Sequence, residues 1–243
     1  MNAGVPALFI SDLHLSEDRA AANERFFAFL EKEARGARAL YILGDFFEYW
    51  IGDDDLAYPF NAVIAGLLQR LSRDGVALFF MHGNRDFLVG ERFCEATGAK
   101  LLEDPSVVDV AGEKTLLMHG DTLCTDDLDY QNWRRTARSS EWQRAFLSKS
   151  LDERRKAVGG MREKSKQVVQ AKPAEIMDVN TGTVRQAMER HGVRRLIHGH
   201  THRPGRHRVE LDGEPGERWV LPDWYGRGGY LRVSRAKAEL VRF

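Results

Sequence analysis

Seven residues of metal-binding type sit where apolar runs of this 243-residue chain give way to short polar motifs. They are Asp12 and His14 in Asp12-Leu13-His14, Asp45 in Gly44-Asp45, Asn84 in Gly83-Asn84-Arg85-Asp86, His119 in Met118-His119-Gly120-Asp121, and His200 with His202 in Gly199-His200-Thr201-His202. Imidazole and carboxylate groups without thiolates favour Mn, Fe, Co or a catalytic Zn over a structural zinc. Seven groups exceed what one four- to six-coordinate ion uses; they suit two ions if one carboxylate, Asp45, bridges them. Two divalent cations and two aspartates leave a charge of about +2, which suits a phosphoryl group, and two ions roughly 3.5–4 Å apart can clamp an in-line displacement.

A lone histidine at a strand end is more often a hydrogen-bonded structural residue than a ligand, but five loops with matching residue types reverse that reading. In extended chain, side chains two residues apart point the same way, so Asp12 with His14 and His200 with His202 read as paired claws. By the same alternation His82 and His198 face away, behind the site. Gly44, Gly83, Gly120 and Gly199 permit sharp turns and close backbone approach. His191 and His207 read as surface residues, Asp53-Asp54-Asp55 as a solvated acidic loop, and Cys94 and Cys124 as bystander thiols.

The elements that must carry these motifs follow from hydrophobic periodicity. Val5–Ile10, Ala39–Leu43 and Val76–Met81 read as buried strands, separated by helical patterns at Ala20–Arg35 and Phe60–Leu71. Such alternation indicates βαβ units and a mostly parallel sheet, beyond whose strand ends ligands gather. After about residue 105 the pattern becomes strand-rich. A hairpin of Val107–Val110 and Thr115–Met118 turns at Ala111-Gly112-Glu113; Arg194–Ile197, Arg206–Leu211, Arg218–Leu221, Tyr230–Val233 and Glu239–Phe243 follow. The expected fold is α/β, with two facing sheets and helices outside, in a single domain over residues 1–243. Residues 126–172 show no strand pattern. Trp133, Trp142, Phe146, Leu147, Leu151, Val158 and Met161 recur there at helical spacing, which predicts two or three amphipathic helices inserted in the domain, with Gly159-Gly160 as a break.

Thirty-six Lys+Arg balance 36 Asp+Glu, and hydrophobic residues make up 43%. A chain this long needs no disulfide to hold its core, and two cysteines suit a reducing cytosol. The first residues lack a basic leader region, and no apolar run approaches the roughly 18–20 residues of a membrane span, so a cytoplasmic protein is expected. Zero net charge argues against a polyanionic partner until it is counted by segment. Residues 134–172 carry 12 basic and four acidic residues, a net of +8, and the remainder carries −8.

Longer motifs narrow the reading. Ser-Asp-Leu-His-Leu (11–15), Gly-Asp-Phe-Phe-Glu-Tyr-Trp-Ile-Gly-Asp-Asp (44–54), Gly-Asn-Arg-Asp-Phe-Leu (83–88), His-Gly-Asp-Thr-Leu-Cys-Thr-Asp-Asp (119–127) and His-Gly-His-Thr-His-Arg-Pro (198–204) run from near the start of the chain toward its tail. The series resembles the calcineurin-like metallophosphoesterases, and within them the UDP-2,3-diacylglucosamine hydrolase family. The resemblance implies a four-layer α/β/β/α metallophosphoesterase sandwich with a helical insertion cap, and two Mn²⁺ per chain. The implied reaction is a step of lipid A synthesis: cleavage of the UDP-linked diacylated glucosamine to UMP and 2,3-diacylglucosamine 1-phosphate. It also implies a peripheral location on the cytoplasmic face of the inner membrane. The family's metal ligands fall on the seven residues above, and its substrate contacts on Asn84, Arg85, Asp127, Ser165, Lys172 and His200. Where the family carries an Asn this chain has Val169, so that contact is not transferred.

Arg85 stands where many metallophosphoesterases place a histidine that protonates an alkoxide. A guanidinium stays charged near neutral pH, whereas a sugar 1-phosphate leaves as a weakly basic anion that needs charge stabilisation and no proton. Arg85 therefore points to pyrophosphate cleavage, with attack of a hydroxide on the alpha phosphorus and with Asn84, Arg85 and His200 holding the phosphoryl oxygens. The basic insert, with its interleaved aromatic and aliphatic residues, suits an acyl-binding lid at an anionic bilayer surface. A nuclease or cyclic-nucleotide phosphodiesterase would use the same metals, with the aromatic residues stacking bases; the aliphatic positions speak against that, so no nucleic acid is expected, and the chain is expected to be a monomer. A binding scaffold with a dead site has no reason to keep seven ligands.

Overall fold

The computed structural model describes residues 4–172 and 176–243, with the side chains at 164–167 and 169–171 outside the described residues. Strand β1 (Ala7–Ile10), helix α1 (Ala20–Lys32), β2 (Ala39–Leu43), α2 (Pro59–Arg73), β3 (Ala77–Met81), α3 (Glu91–Thr97) and β4 (Ala99–Leu102) form consecutive βαβ units. The hairpin β5 (Ser106–Val110) and β6 (Glu113–Leu117) follows, then α4 (Leu128–Ala137), α5 (Ser140–Leu147), α6 (Leu151–Ala171) and α7 (Thr181–Arg190). The tail contributes β7 (Arg195–His198), β8 (Gly205–Val209), β9 (Gly216–Val220), β10 (Gly229–Val233) and β11 (Ala238–Arg242). One sheet has the order β11-β10-β1-β2-β3-β4, the other β5-β6-β7-β9-β8.

Strands β1, β2 and β3 pair in parallel, with Leu8 opposite Leu40 and Leu40 opposite Leu78. Their near-continuous hydrophobic runs reflect burial on both faces. Leu8, Ile10, Leu40, Ile42, Leu78 and Phe80 pack outward with Phe26, Phe29, Ile64, Leu68 and Phe93 of the covering helices. The alternate residues Ala7, Phe9, Ala39, Tyr41, Leu43 and Met81 face the second sheet and meet Val110, Leu117, Ile197 and Leu221. Across this inter-sheet face Phe9, Tyr41 and Phe79 stack in register, with centroids 4.7 and 4.6 Å apart. On the far side of the second sheet, Leu116 and Leu196 pack with Val184 and Met188 of α7. Helices, sheet, sheet and helix thus form the four layers expected.

Helices α4–α6 lie between β6 and α7, and two of their features correct the sequence reading. Helix α6 runs unbroken through Gly159 and Gly160. Each glycine costs about 1 kcal/mol relative to alanine in a helix interior, and α6 is held on both sides of the pair, by Arg154 and Arg155 before it and Arg162 after it. The acidic triplet is no solvated loop. Asp53 accepts hydrogen bonds from Gly90 N (2.9 Å) and Phe93 N (3.0 Å) at the start of α3. Asp54 pairs with buried Arg154, whose guanidinium also donates to Ile51 O at 2.7 Å, and Asp55 pairs with Arg155. The sequence reading left out α3, β4 and α7, which are short or have few apolar positions.

Arg154→Met keeps the aliphatic stem and removes the charged hydrogen bonds, each worth about 1.5–3 kcal/mol. The expected result is faster amide exchange over residues 151–163, with protection of the two sheets unchanged.

Candidate metal centre

The loops after β1, β2 and β3 in one sheet and after β6 and β7 in the other bring the seven residues together. Their ligand atoms form two groups, Asp12–His14–His202 and Asp45–His119–His200, each with all atoms within 4.8 Å of one another. Asp45 faces both: Oδ2 lies 3.8 Å from His14 Nε2, and Oδ1 lies 3.7 Å from His119 Nε2. This is the geometry that a bridging carboxylate needs. Asn84 Oδ1 lies 3.1 Å from His119 Nε2 and so joins the second group. The expected claw of His200 and His202 is split, one histidine serving each group.

The backbone removes the premise of the claw reading. Asp12, His14, Asp45, His200 and His202 all have φ between 51° and 68°. They are in the left-handed region, not in the extended conformation from which the alternation argument proceeded. Apart from Ala111 at a hairpin turn, they are the only described non-glycine residues there. Asp and His tolerate this conformation better than most residues, and such strain collects at functional sites. Gly44 (φ 85°) and Gly83 meet back to back at the ends of β2 and β3; a Cβ on Gly44 would lie 2.5 Å from Gly83 Cα. Any side chain there would push Asp45 and Asn84 apart.

Buried polar groups fix the site from behind. Asp86, fully buried, accepts from Gly83 N (2.8 Å) and Phe46 N (2.7 Å), which ties the Asn84 loop to the Asp45 loop. Ser11 Oγ donates to Asp12 Oδ2 at 2.5 Å, and His200 N donates to the same oxygen at 2.9 Å. His119 Nδ1 lies 2.8 Å from Leu43 O, so it carries the proton and leaves Nε2 for a ligand. Asp121 accepts from Tyr130 Oη and Arg134 Nε, both at 2.7 Å, and the Tyr130 ring lies 5.7 Å from that of His200. His82 and His198 do stand behind the site: one contacts Val89 O at 2.6 Å, the other Gly199 O at 2.8 Å and Arg218 at 3.1 Å.

The residues fit metal ions on their own geometry. Both ring nitrogens of His14 are buried without a hydrogen-bond partner, a state that native structures rarely leave unanswered, and buried Asp12 Oδ1 faces His202 Nε2 at 3.3 Å. Burial would lower His119, but the carboxylates of Asp45, Asp121 and Asp12 push it up to about 9. Burial pushes Asp45 up to about 7 against the opposing charge of His119. Burial would raise Asp12, yet the hydrogen bond and charge of His202 hold it below the usual carboxylate range. Burial lowers His200 to about 4, in keeping with a neutral ligand.

Of the other expected contacts, Arg85 donates its backbone N–H to Asp45 Oδ1 at 2.8 Å, and its guanidinium takes part in no ion pair among the described residues. Asp127 caps α4 through Tyr130 N and takes Lys172 Nζ at 2.5 and 2.7 Å, so these two candidate contacts are paired with each other. The side chains of Ser165 and Val169 lie outside the described residues. Residues that the sequence reading assigned no role complete the surroundings. Tyr225 lies 4.9 Å from His14 and 5.5 Å from His202, its other face under Arg19 at 4.2 Å. Arg19 is fixed by Leu13 O and His14 O at 3.0 Å and Trp224 O at 3.2 Å. Asp86 and Asp121 stand inside the quoted motifs and were findable; Arg19 and Tyr225 carry no local signal.

The family model for calcineurin-like phosphoesterases matches residues 5–204, and the chain belongs to that family. Curated relatives extend the likeness over almost its whole length. It is 50% identical to the UDP-2,3-diacylglucosamine hydrolase of Aromatoleum aromaticum over 230 residues, 95% of this chain and 94% of that one. It is 49% identical to the protein of the same name from Pseudomonas putida strain F1, over 97% and 98% of the two chains. The same name belongs to a Serratia proteamaculans protein, 48% identical over the same shares. Family and site together identify a metal-dependent hydrolase whose two residue groups suit divalent ions.

An ion at the second group would require neutral His119 and ionised Asp45. A proton bound more tightly in the fold than in the unfolded chain stabilises the metal-free protein. That contribution is complete below the ordinary histidine value of 6.5 and fades as pH rises through about 9. Asp45 acts in the same direction, since its ionised form is disfavoured between 3.8 and about 7. Chelator-treated protein should therefore lose thermal stability from pH 6 to pH 9. Added divalent ions should raise the melting temperature most at the alkaline end, with proton release measurable by calorimetry in buffers of different ionisation enthalpy.

Proposed function

We propose that this chain hydrolyses the pyrophosphate of UDP-2,3-diacylglucosamine, releasing UMP and 2,3-diacylglucosamine 1-phosphate for lipid A synthesis. The observation that carries the reading is the pair of ligand groups sharing Asp45, with the Arg85 main chain bonded to that aspartate and near-full-length relatives of that name. The metal ligands are Asp12, His14, Asp45, Asn84, His119, His200 and His202, and the ions are Mn²⁺, which supply an activated water and positive charge for the phosphoryl oxygens. Water adds to the alpha phosphorus, the bond to the bridging oxygen breaks, and the sugar 1-phosphate leaves. Asn84, Arg85 and His200 hold oxygens of the pyrophosphate as charge builds on them. Arg85 stabilises the leaving phosphate without giving it a proton. Asp127, Ser165 and Lys172 contact the substrate, the first and last exchanging their mutual ion pair for its polar groups.

Residues 126–172 form a lid for the acyl chains on the single domain 1–243. Their large apolar residues divide into two sets: Phe146 is buried and stacked with Trp142, whereas Leu128, Trp133, Leu147, Met161 and Val168 are exposed. The exposed set, together with exposed Arg144, Lys149 and Lys156, suits contact with an anionic inner-membrane surface from the cytoplasmic side. Among the described residues no helix is long and apolar enough to cross a membrane. The protein acts as a monomer and not on nucleic acid.

With Mn²⁺, purified protein is expected to release UMP from the UDP-lipid and to leave DNA and bis(4-nitrophenyl) phosphate uncut; cleavage of DNA in preference would overturn the assignment. Arg85→Ala should lower kcat by about 10²–10³ with two ions still bound by elemental analysis. Sedimentation with anionic vesicles should capture the protein at about 0.1 M salt and lose much of it at about 1 M, where the screening length falls to about 3 Å. Undiminished capture at high salt would assign the contact to apolar insertion.

A further inference from the structure

Glu48 follows Asp45 in the loop after β2, and the roles assigned above do not include it. Its side chain is 5% exposed. One oxygen, Oε1, forms an ion pair with Arg162 Nε, 3.0 Å away in the middle of α6. The other, Oε2, lies 3.6 Å from His14 Nδ1. Neither Oε2 nor either His14 ring nitrogen has a hydrogen-bond partner, although all three are buried. The backbone fixes this arrangement: Glu48 N donates to Leu15 O at 3.0 Å, beside the bridge between Leu15 and Phe47. The carboxylate is therefore carried by the strap that joins the β1 and β2 loops.

The imidazole of His14 is turned so that Nδ1 faces Glu48 and Nε2 faces Asp45 and the first ligand group. A metal-binding histidine commonly donates its second ring N–H to a carboxylate or carbonyl, which fixes both tautomer and ring orientation. The second group already has this arrangement, through the main-chain carbonyl of Leu43 behind His119. The two groups thus differ. One is backed by rigid main chain, the other by a carboxylate that also answers to a basic residue on an inserted helix.

We infer that Glu48 is a positioning residue that orients His14 and, through Arg162, ties the first metal group to helix α6. The inference rests on the metal reading proposed above. An ion held by Asp12, His14 and His202 fixes the ring whose Nδ1–H needs Glu48, and the fixed carboxylate favours Arg162 in its docked position. By thermodynamic reciprocity, docking of α6 then raises affinity at that group and not at the other.

The test is Mn²⁺ titration of the chelator-treated full chain, with amide exchange followed over residues 151–163. The parent should bind two ions, and loading should slow exchange in that segment. Glu48→Gln offers one acceptor oxygen where the carboxylate has two, so it can serve Arg162 or His14 but not both. It should weaken one site by about 10- to 100-fold, leave the other and the metal-free melting temperature unchanged, and abolish the response of α6. Arg162→Gln, at a position 43% exposed where folding is not at stake, should weaken the same site by about 5-fold or more. A merely structural role would affect both sites or neither, and either result overturns the proposal. Two ions bound with no change in α6 exchange would overturn the coupling alone, whereas no ion bound would overturn the metal reading along with it.

Discussion

Four aspartates, Asp12, Asp45, Asp86 and Asp121, are buried at one end of the sheet sandwich, and the surrounding structure answers their charge. Removing such groups from water is expensive unless each oxygen meets a donor or a cation. Asp86 is satisfied by backbone N–H groups, whereas Asp121 takes Tyr130 and Arg134 on Oδ2 alone and keeps Oδ1 without a partner. Asp12 and Asp45 are only half satisfied in this way, and their remaining oxygens point at histidines. Placement among imidazole nitrogens separates Asp12 and Asp45 from the other two, although all four occur in similar motifs. It also explains why the left-handed loop residues persist, since relaxing them would point these carboxylates elsewhere.

The opposed charges of the insert and the remainder take on a structural meaning. Arg134, Arg138, Arg154, Arg155, Arg162 and Lys172 all reach carboxylates outside the basic segment, at Asp121, Asp54, Asp55, Glu48 and Asp127. At least half of the segment's 12 basic residues therefore serve to dock it. What remains for an external anion is a smaller set than the net charge implied. The −8 of the remainder is correspondingly the receiving surface of that docking as well as a metal scaffold.

The layers were legible because β1, β2 and β3 are uninterrupted apolar runs with helical patterns between them, and the seven candidate ligands were legible because each ends such a run. Their grouping was not. It depends on φ signs at Asp12, His14, Asp45, His200 and His202, which residue type only permits. Helix α7 was missed because its buried residues, Val184 and Met188, are too few to set a period. The acidic triplet was misread because its partners lie far along the chain, about 40 residues away in α3 for Asp53 and 100 away in α6 for Asp54 and Asp55, where composition carries no information. Arg19 and Tyr225 escaped for the same reason, meeting only through the fold.

The left-handed backbone at five candidate ligand positions means that these residues answer two requirements, one on their donor atoms and one on their torsion angles. Asparagine and glycine satisfy the second requirement and alter the first; valine and isoleucine fail both, and threonine fails the second. The permitted vocabulary at these positions is thus narrower than ligand chemistry alone would set. Any change of donor at these positions must pass through the few side chains that also fit a left-handed turn, so the loop geometry itself restrains the chemistry of the site.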